Sequence, residues 1–304
     1  MNPKDTYRSV QDRYAGVASQ IDDSREQGDY ERKVAKAFGY DLEDLRSIPE
    51  SANLGVSCGN PLAMASIREV GDVNGLLLGA ESNINAQGEV VIDLGSGGGI
   101  DVLLAAKKVG AEGKAIGVDM TKDMLELARR NARKAGVSNA SFIEAFITSI
   151  PLPASTADCI ISNCVVNLVP EVEKILVFQE MFRLLKPGGR VAISDILAKR
   201  ELPMDIKKDL SLYVGCIAGA SQICDYERYL KEAGFRDLLI LDTHGDLNLY
   251  KEIWKRQEDN GLAPTGSCCD LIESSTSASR IEKSPDVDFN FWTGEWIDLQ
   301  SNYH

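Results

Sequence analysis

The sequence predicts an α/β fold in which helices cover both faces of a mostly parallel β-sheet, and three observations lead to this prediction. Short apolar runs alternate with helical spacing over residues 90–243. The first apolar run leads into an acidic residue and a glycine-rich turn, Asp93-Leu94-Gly95-Ser96-Gly97-Gly98-Gly99. A helical pattern follows that turn directly. A strand, a tight glycine turn and a helix N-terminus in this order are typical of a nucleotide-binding unit in a parallel sheet.

The predicted strands and helices follow one another along the chain. Strands are expected at residues 90–94, 114–119, 140–145, 158–163, 190–195 and 237–243. Helices are expected at residues 100–109, 121–135, 171–186 and 225–233, with a turn at 187–189. Alternation of this kind places a buried sheet between two helical layers, which is a Rossmann-like arrangement.

The composition changes along the chain and predicts three parts. Residues 1–50 are predicted to form a charged helical segment, and residues 51–255 the α/β domain. Residues 256–304 form a C-terminal extension that is partly linker-like, because small polar residues dominate it. Its end is rich in aromatic residues, so we expect that end to dock on the core.

Charge and apolar patterning exclude several function classes. The 304 residues carry 33 Lys and Arg against 46 Asp and Glu, a net charge of −13, which disfavours nucleic acid and anionic membrane surfaces as partners. The sequence has no run of eighteen apolar residues and no apolar signal core at its start. We therefore expect a cytoplasmic protein, a monomer, whose seven cysteines are mostly free thiols.

The glycine turn predicts a cofactor site, and its spacing bears on which cofactor binds. Counting from Gly95, the position that a dinucleotide-binding fingerprint reserves for its third glycine is Ile100. The pattern here instead places Gly95, Gly97 and Gly99 at every second position after Asp93. Asp119 ends the next predicted strand and can accept both ribose hydroxyls, a role that NAD and S-adenosylmethionine sites share.

Three cysteines lie where ligands bind in such folds. Cys164 follows the predicted strand 158–163, and the carboxyl ends of parallel strands border the ligand site. Cys58 lies in a glycine turn before the first strand, and Cys216 lies in a small-residue segment after the fifth. Cys159 lies inside an apolar strand and is expected in the core. The sequence does not decide whether Cys224 and the Cys268-Cys269 pair bind a ligand or have no functional role.

These segments resemble two nested groups of proteins. The glycine turn resembles motif I of class I S-adenosylmethionine-dependent methyltransferases. Over roughly residues 50–235 the chain is similar to the arsenite methyltransferase family. The similarity is carried by Ser57-Cys58-Gly59-Asn60-Pro61, by the glycine turn, by Ser162-Asn163-Cys164-Val165-Val166-Asn167-Leu168 and by Tyr213-Val214-Gly215-Cys216-Ile217-Ala218-Gly219-Ala220.

The resemblance implies a fold, a reaction and a set of site residues. It implies a class I methyltransferase fold and transfer of a methyl group from S-adenosylmethionine to thiolate-bound As(III). Cys164 and Cys216 would hold the arsenic, and Cys58 would either bind it too or form a disulfide that returns the oxidised centre to the trivalent state. That cycle needs a thiol reductant, thioredoxin or glutathione. The residues expected to bind the cofactor are Asp93, Gly95, Ser96, Gly97, Gly99, Asp119, Met120, Phe146, Ile147 and Asn163.

Three features of the sequence keep two alternatives open. Phe146 stands where relatives usually carry an acidic residue before the Ile that contacts adenine, here Ile147. Phe can pack on a purine but cannot accept its amino proton. Together with the absence of cysteines before Cys58, this leaves open a metalloid-binding protein without catalysis. The elements around Leu184-Leu185-Lys186-Pro187-Gly188-Gly189, which carbon methyltransferases share, leave open a carbon methyltransferase acting on a small apolar molecule of the sterol or quinone type.

Overall fold

The structure, a computed structural model, describes residues 2–21, 29–67, 88–208, 213, 216–244 and 293–297. Its helices are α1 (Pro3–Ser19), α2 (Asp29–Ala37), α3 (Leu42–Arg46), α4 (Pro61–Met64), α5 (Ile100–Lys108), α6 (Lys122–Lys134), α7 (Lys174–Leu184), α8 (Met204–Lys208) and α9 (Ile223–Ala233). Its strands are β1 (Val90–Leu94), β2 (Lys114–Asp119), β3 (Ala140–Glu144), β4 (Ala157–Asn163), β5 (Leu185–Ala198), β6 (Leu241–Asp242) and β7 (Thr293–Ile297).

The strands form one sheet in the order β3-β2-β1-β4-β5-β7-β6. Strands β1 to β5 are mutually parallel, whereas β7 runs antiparallel to β5 and to β6. Because β1 lies between β2 and β4, the carboxyl ends of these three strands meet at one edge. The predicted Rossmann-like fold is confirmed, and that edge is where such sheets bind ligands.

Both faces of the sheet are buried, as a parallel sheet requires. Along β1, Ile92 and Leu94 pack in one apolar cluster with α7 and α9, while Val91 packs in a second cluster with α5. This alternation follows from the two-residue period of a strand. Helices on both faces therefore fix the strand ends, and the segments that follow those ends, relative to one another.

Several predicted boundaries were wrong. Strand β5 extends over Leu185–Ala198, so the residues predicted as a turn at 187–189 belong to it, and β6 covers only two residues of the predicted 237–243. The predicted helix at 171–186 is a 3-10 turn at Glu171–Glu173 followed by α7. Pro170, which precedes that turn, disfavours an earlier helical start.

Strand β7 brings the aromatic end of the tail onto the sheet. Its backbone pairs with β5, with Trp296 opposite Asp195 and Ile297 opposite Ser194. Residues 245–292, which include Cys268 and Cys269, lie outside the described residues. The division of the chain into three parts stays a prediction.

A buried ion pair joins Arg190 of β5 to Glu89, the residue before β1. The Arg190 guanidinium donates two parallel hydrogen bonds to the Glu89 carboxylate, each 2.8 Å between nitrogen and oxygen. It also donates to the backbone carbonyls of Ala65 and Ser66, after α4. The side chains of Arg190 and Glu89 are only 9% and 14% exposed. Arg190 therefore anchors the segment that leads from Cys58 towards the sheet.

Replacing Arg190 by methionine should lower the free energy of unfolding by about 3 kcal/mol, because it leaves a nearly buried carboxylate and two carbonyls without their donor. Urea unfolding followed by circular dichroism would measure it. Lys231→Met, which removes an exposed pair with Glu227 at 3.0 Å, is the matched control and should cost about 0.5 kcal/mol or less. Equal effects of the two substitutions would contradict the role given to Arg190.

Candidate functional site

The glycine turn between β1 and α5 forms a close-fitting loop at the sheet edge. Gly95 has φ +70°, and a Cβ atom there would lie 2.3 Å from Cγ2 of Val165. Only glycine fits this combination of backbone angle and contact. Gly99, with φ +95°, directly precedes the first residue of α5. The loop therefore presents backbone, not side chains, towards the space in front of the sheet.

Asp119 at the end of β2 ties this loop to the next strand. Its carboxylate accepts the backbone N–H of Gly97 at 3.0 Å and that of Thr121 at 2.8 Å. Burial raises the pKa of Asp119, and the two N–H donors partly oppose that rise. Both the loop and this carboxylate lie where the sequence places a nucleotide-like ligand.

A cavity opens beside the loop, and many of the predicted site residues line it. From the glycine turn, β2, the segment after β3, and β4 with the residue that follows it, the lining includes Gly95, Gly97, Asp119, Met120, Phe146, Ile147, Asn163 and Cys164. Asp93, Ser96 and Gly99 are not part of this lining. Asp93 and Ser96 are buried behind the loop, and the Oγ of Ser96 has no hydrogen-bond partner. The contact of these three residues with a cofactor stays a prediction.

Helix α1 supplies residues that the sequence analysis missed. Tyr7, Val10 and Tyr14, spaced three and four residues apart on one face of α1, line the same cavity. The amide of Gln11 donates to the carbonyl of Met120 at 2.8 Å and fixes the helix against the end of β2. The 3–4 spacing of apolar residues was visible in the sequence, but nothing local showed which surface it would cover.

Three cysteines remote in sequence converge next to this cavity. The Sγ atoms of Cys58, Cys164 and Cys216 all lie within 4.8 Å of one another, and each residue is buried. Cys58 and Cys164 form a disulfide with Cα atoms 5.5 Å apart. Cys216 is not part of a disulfide, and its thiol donates to the carbonyl oxygen of Cys164 at 2.9 Å. Cys164 lines the cavity itself, whereas Cys58 and Cys216 lie behind it.

The expectation of free thiols holds for three of the five described cysteines. Cys159 is buried inside β4, Cys216 is buried in the cluster and Cys224 is exposed. It fails for Cys58 and Cys164, because the loops that carry them are brought together at the same edge of the sheet.

Two of the three clustered cysteines have unusual backbone conformations. Cys164 has φ +59° and Cys216 has φ +66°, a region that non-glycine residues rarely adopt. Each such residue costs on the order of 1–3 kcal/mol and persists only where the surrounding contacts enforce it. These contacts come from two polar networks.

The first network is centred on the side-chain amide of Asn163. Its Nδ2 donates to the carbonyl of Gly59 at 2.9 Å and to the hydroxyl of Tyr40 at 2.8 Å. Its Oδ1 accepts the backbone N–H of Cys58 at 3.1 Å. Tyr40 in turn donates to the carboxylate of Asp101, at 2.8 Å to Oδ1. The residue before Cys164 thus holds the loop that carries Cys58.

The second network holds the segment that carries Cys216. The ammonium of Lys174 is fully buried and donates to the carbonyl of Gly219 at 2.5 Å, to Ser221 Oγ at 2.6 Å and to Glu171 Oε2 at 2.8 Å. A Cβ atom on Gly219 would lie 2.0 Å from the carbonyl oxygen of Asn167. The segments after β4 and before α9 therefore pack backbone against backbone.

The same network reaches strand β5 through a buried carboxylate. Asp195 accepts the amide of Asn167 and the hydroxyl of Tyr226, both at 2.7 Å. Burial raises the pKa of Asp195 to about 6, although the hydroxyl of Tyr226 lowers it. Asn167 belongs to the motif that carries Cys164, so one cluster of side chains positions both cysteines.

Three carboxylates lie near one another at the glycine loop, and two of them, Asp93 and Asp101, are buried. Burial raises the pKa of Asp93, and the neighbouring Asp101 and Asp119 raise it further. Burial also raises the pKa of Asp101 to about 6, although the hydrogen bonds from Tyr40 and Asn163 oppose the rise. A positively charged ligand in front of the loop would relieve this repulsion.

Replacing Asp101 by asparagine should change how stability depends on pH. Its folded pKa of about 6 lies above the ordinary value of 3.8, so its contribution to stability is complete at low pH and is lost as the pH rises through 6. Relative to the wild type, the free energy of unfolding of the variant should therefore increase by an amount on the order of 2–3 kcal/mol between about pH 3.5 and pH 7. Urea unfolding across that range would measure the difference, and a difference that stays flat would refute the assignment.

Gly219→Ala should lower the free energy of unfolding by about 1–3 kcal/mol, because the added methyl group collides with a backbone oxygen. Gly16→Ala is the matched control: Gly16 lies inside α1, and a Cβ atom added there would have nothing within 4 Å, so that substitution should stabilise by about 0.5–1 kcal/mol. Thermal and urea unfolding of both variants would test this. Stabilisation by both substitutions would show that the two segments are not in close contact.

Comparisons with known proteins agree with this geometry. Residues 85–234 match a family model described as a methyltransferase domain. An arsenite methyltransferase of Halobacterium salinarum is 39% identical over 273 residues, which is 86% of this chain and 64% of that protein. The human arsenite methyltransferase is 28% identical over 231 residues, 69% of this chain and 61% of that protein. The chain thus spans less than two thirds of the length of these relatives.

A solved structure gives the same result. The X-ray structure of an arsenic(III) S-adenosylmethionine methyltransferase from Chlamydomonas reinhardtii superposes with a TM-score of 0.53 at 26% identity, covering 89% of this chain and 73% of that one. The sheet order, the glycine loop and the matches in sequence and structure lead to one conclusion: the chain has the class I methyltransferase fold and is similar in sequence and structure to arsenite methyltransferases.

Proposed function

We propose that this protein transfers the methyl group of S-adenosylmethionine to As(III) held by cysteine thiolates. The observation that carries the proposal is the convergence of three sulfur atoms within 4.8 Å of one another. They meet directly beside a cavity bordered by the glycine loop and Asp119, and Cys164 belongs to both the cluster and the cavity lining.

The residues at the sheet edge fit the cofactor. Gly95 and Gly97 bring backbone to the cavity surface, and Asp119 can accept ribose hydroxyls. Asp93 and Asp101 place negative charge beneath the loop, which suits a cationic ligand. When bound, S-adenosylmethionine supplies an electrophilic methyl group on a positively charged sulfonium. The loop and Asp119 then orient the cofactor, while the apolar lining around Val165 and Ile147 excludes water.

The thiol cluster fits trivalent arsenic as substrate. As(III) is a soft centre that binds thiolates and takes a trigonal pyramidal arrangement with its lone pair opposite the sulfurs. Sulfurs drawn from Cys58, Cys164 and Cys216 can displace its hydroxides and fix the direction of that lone pair. Holding the nucleophile beside the methyl donor removes much of the entropic cost of their encounter. The positively charged donor becomes neutral on transfer, so the site needs no oxyanion-binding group.

Under this proposal, the disulfide between Cys58 and Cys164 is reduced before the cluster binds arsenite. Two thiols of thioredoxin or glutathione supply two electrons and two protons. The Sγ–Sγ bond breaks, two cysteine thiols form and the reductant becomes a disulfide. We propose that this step opens the cluster for arsenite, and that it takes place in the cytoplasm, where such reductants are kept reduced. No helix in the described part of the chain is long and apolar enough to cross a membrane.

Replacing Cys164 or Cys216 by serine should lower the formation of methylated arsenicals from arsenite by at least about 100-fold, because the arsenic loses a soft ligand and its alignment with the methyl donor. The measurement is mass-resolved arsenic speciation after incubation with arsenite, S-adenosylmethionine and thioredoxin or glutathione. Cys224→Ser is the matched control, since Cys224 is an exposed free cysteine and its loss should leave the rate unchanged.

Calorimetric binding of S-adenosylhomocysteine should be the same in all these variants. Retained methylation in both the Cys164 and Cys216 variants would refute the proposal. Tight arsenite binding without methylated product would instead indicate a metalloid-binding protein. Methylation of a sterol or quinone precursor that is indifferent to the cysteines would indicate a carbon methyltransferase.

A further inference from the structure

Each cysteine of the thiol cluster is held by a different part of the fold. Cys164 directly follows β4, and its backbone N–H donates to a carbonyl of β5 at 2.7 Å. The backbone N–H of Cys58 donates to the side-chain amide of Asn163 at 3.1 Å. Cys216 lies in a turn, so its position depends on the contacts that other segments make with residues 216–221.

The side chain of Lys174 supplies two of those contacts. Its ammonium donates to the carbonyl of Gly219 at 2.5 Å and to the hydroxyl of Ser221 at 2.6 Å. It also donates to the carboxylate of Glu171 at 2.8 Å. An ammonium has three N–H donors, so all three have an acceptor, and two of those acceptors belong to the segment that begins at Cys216.

Burial makes this lysine costly, and the ion pair with Glu171 offsets only part of that cost. Lys174 is 0% exposed and is the first residue of α7. A cation at this position loses its hydration and lies near the positive end of the helix dipole. The side chain of Glu171 is 61% exposed, so water screens its attraction to the ammonium. The main structural result of burying Lys174 is therefore its attachment to the segment that carries Cys216.

The backbone conformation of Cys216 links this attachment to the thiol cluster. Cys216 has φ +66°, a conformation that persists only where surrounding contacts enforce it. In this conformation its Sγ lies within 4.8 Å of the Sγ atoms of Cys58 and Cys164. Release of the segment would let the backbone relax and carry the sulfur of Cys216 away from the other two.

We propose that Lys174 is a positioning residue that keeps Cys216 in place as the third sulfur ligand of arsenic. This proposal rests on the proposed function and deepens it, because it names the group that decides how many sulfurs bind the substrate. When As(OH)3 binds, each attacking thiol forms one As–S bond, one As–O bond breaks, and the thiol proton leaves with the hydroxide as water. With Cys216 in place, arsenic loses all three hydroxides. Without it, arsenic keeps one hydroxide, and only two sulfurs direct its lone pair.

X-ray absorption spectroscopy of the arsenic-loaded protein would test this proposal. A phosphine first reduces the Cys58–Cys164 disulfide, with water supplying the two thiol protons and the phosphine leaving as its oxide; equimolar arsenite is then added. The wild-type protein should show three sulfurs around arsenic, whereas Lys174→Met should show two sulfurs and one oxygen. Turnover of arsenite should fall about 10–100-fold, the usual effect of removing a group that orients a metal ligand. Calorimetric binding of S-adenosylhomocysteine should be unchanged.

Two matched substitutions separate positioning from charge pairing. Glu171→Gln removes the ion pair but leaves both hydrogen bonds from Lys174 to the segment of Cys216, so arsenic should keep three sulfurs. Lys186→Met removes a lysine that pairs with Asp158 at 2.7 Å, near the amino end of β4, and should also leave three sulfurs.

A further variant keeps the test decisive if Lys174→Met does not fold. Lys174→Gln carries a polar amide one bond closer to the backbone, which falls short of the two acceptors near Cys216, and circular dichroism would show which variant is folded. Three sulfurs around arsenic in a folded Lys174 variant, or fewer than three in the wild type, would overturn this inference alone. Absence of methylated arsenicals from the wild-type reaction would overturn the proposed function and the inference with it.

Discussion

The side chain of Asn163 is the interaction on which the thiol cluster depends. Its amide binds both the carbonyl of Gly59 and the N–H of Cys58, and the next residue in its own chain is Cys164. Asn163 and Gly59 are 104 residues apart in the chain, and this amide joins their segments together with the Cys58–Cys164 disulfide. Because Tyr40 connects the same amide to Asp101 at the start of α5, a continuous chain of hydrogen bonds links the thiol cluster to the helix that follows the glycine loop.

Buried negative charge at the sheet edge has an energetic consequence that links stability to ligand binding. Asp93 and Asp101 are almost fully buried, and burial raises the pKa of each. Ionising them costs stability in the free protein at neutral pH. A cationic ligand in front of the loop recovers part of this cost as binding free energy. Under the proposed function, these carboxylates would favour a cofactor that carries a positive charge over a neutral one.

The sequence predicted what depends on local patterns and on sheet geometry. Strands β1 and β2 were placed to the residue, since apolar runs and glycines bound them. The meeting of Cys58, Cys164 and Cys216 was also anticipated, although from family resemblance and the strand-end rule. What could not be predicted is non-local. The surface that α1 covers, the extension of β5 and the buried contacts of Lys174 arise from packing between segments far apart in the chain, which no single window of sequence contains.

The two cysteines with strained backbone conformations lie beside the contacts that stabilise those conformations. Cys164 and Cys216 both occupy the left-handed backbone region, and both lie next to hydrogen-bond networks that include the buried side chains of Tyr40, Asp101, Asn167 and Lys174. Asn167, which follows Cys164, donates to the carbonyl of Ile196, and Lys174 donates to the carbonyl of Gly219, which follows Cys216. Gly219 also packs closely against the Asn167 carbonyl. A thiol on a relaxed loop would sample many directions and would lose entropy on binding arsenic. Here that entropy is lost on folding. Under the proposed function, the three sulfurs would meet arsenic already gathered once the Cys58–Cys164 disulfide is reduced, and the cost would appear as lower stability rather than as weaker binding.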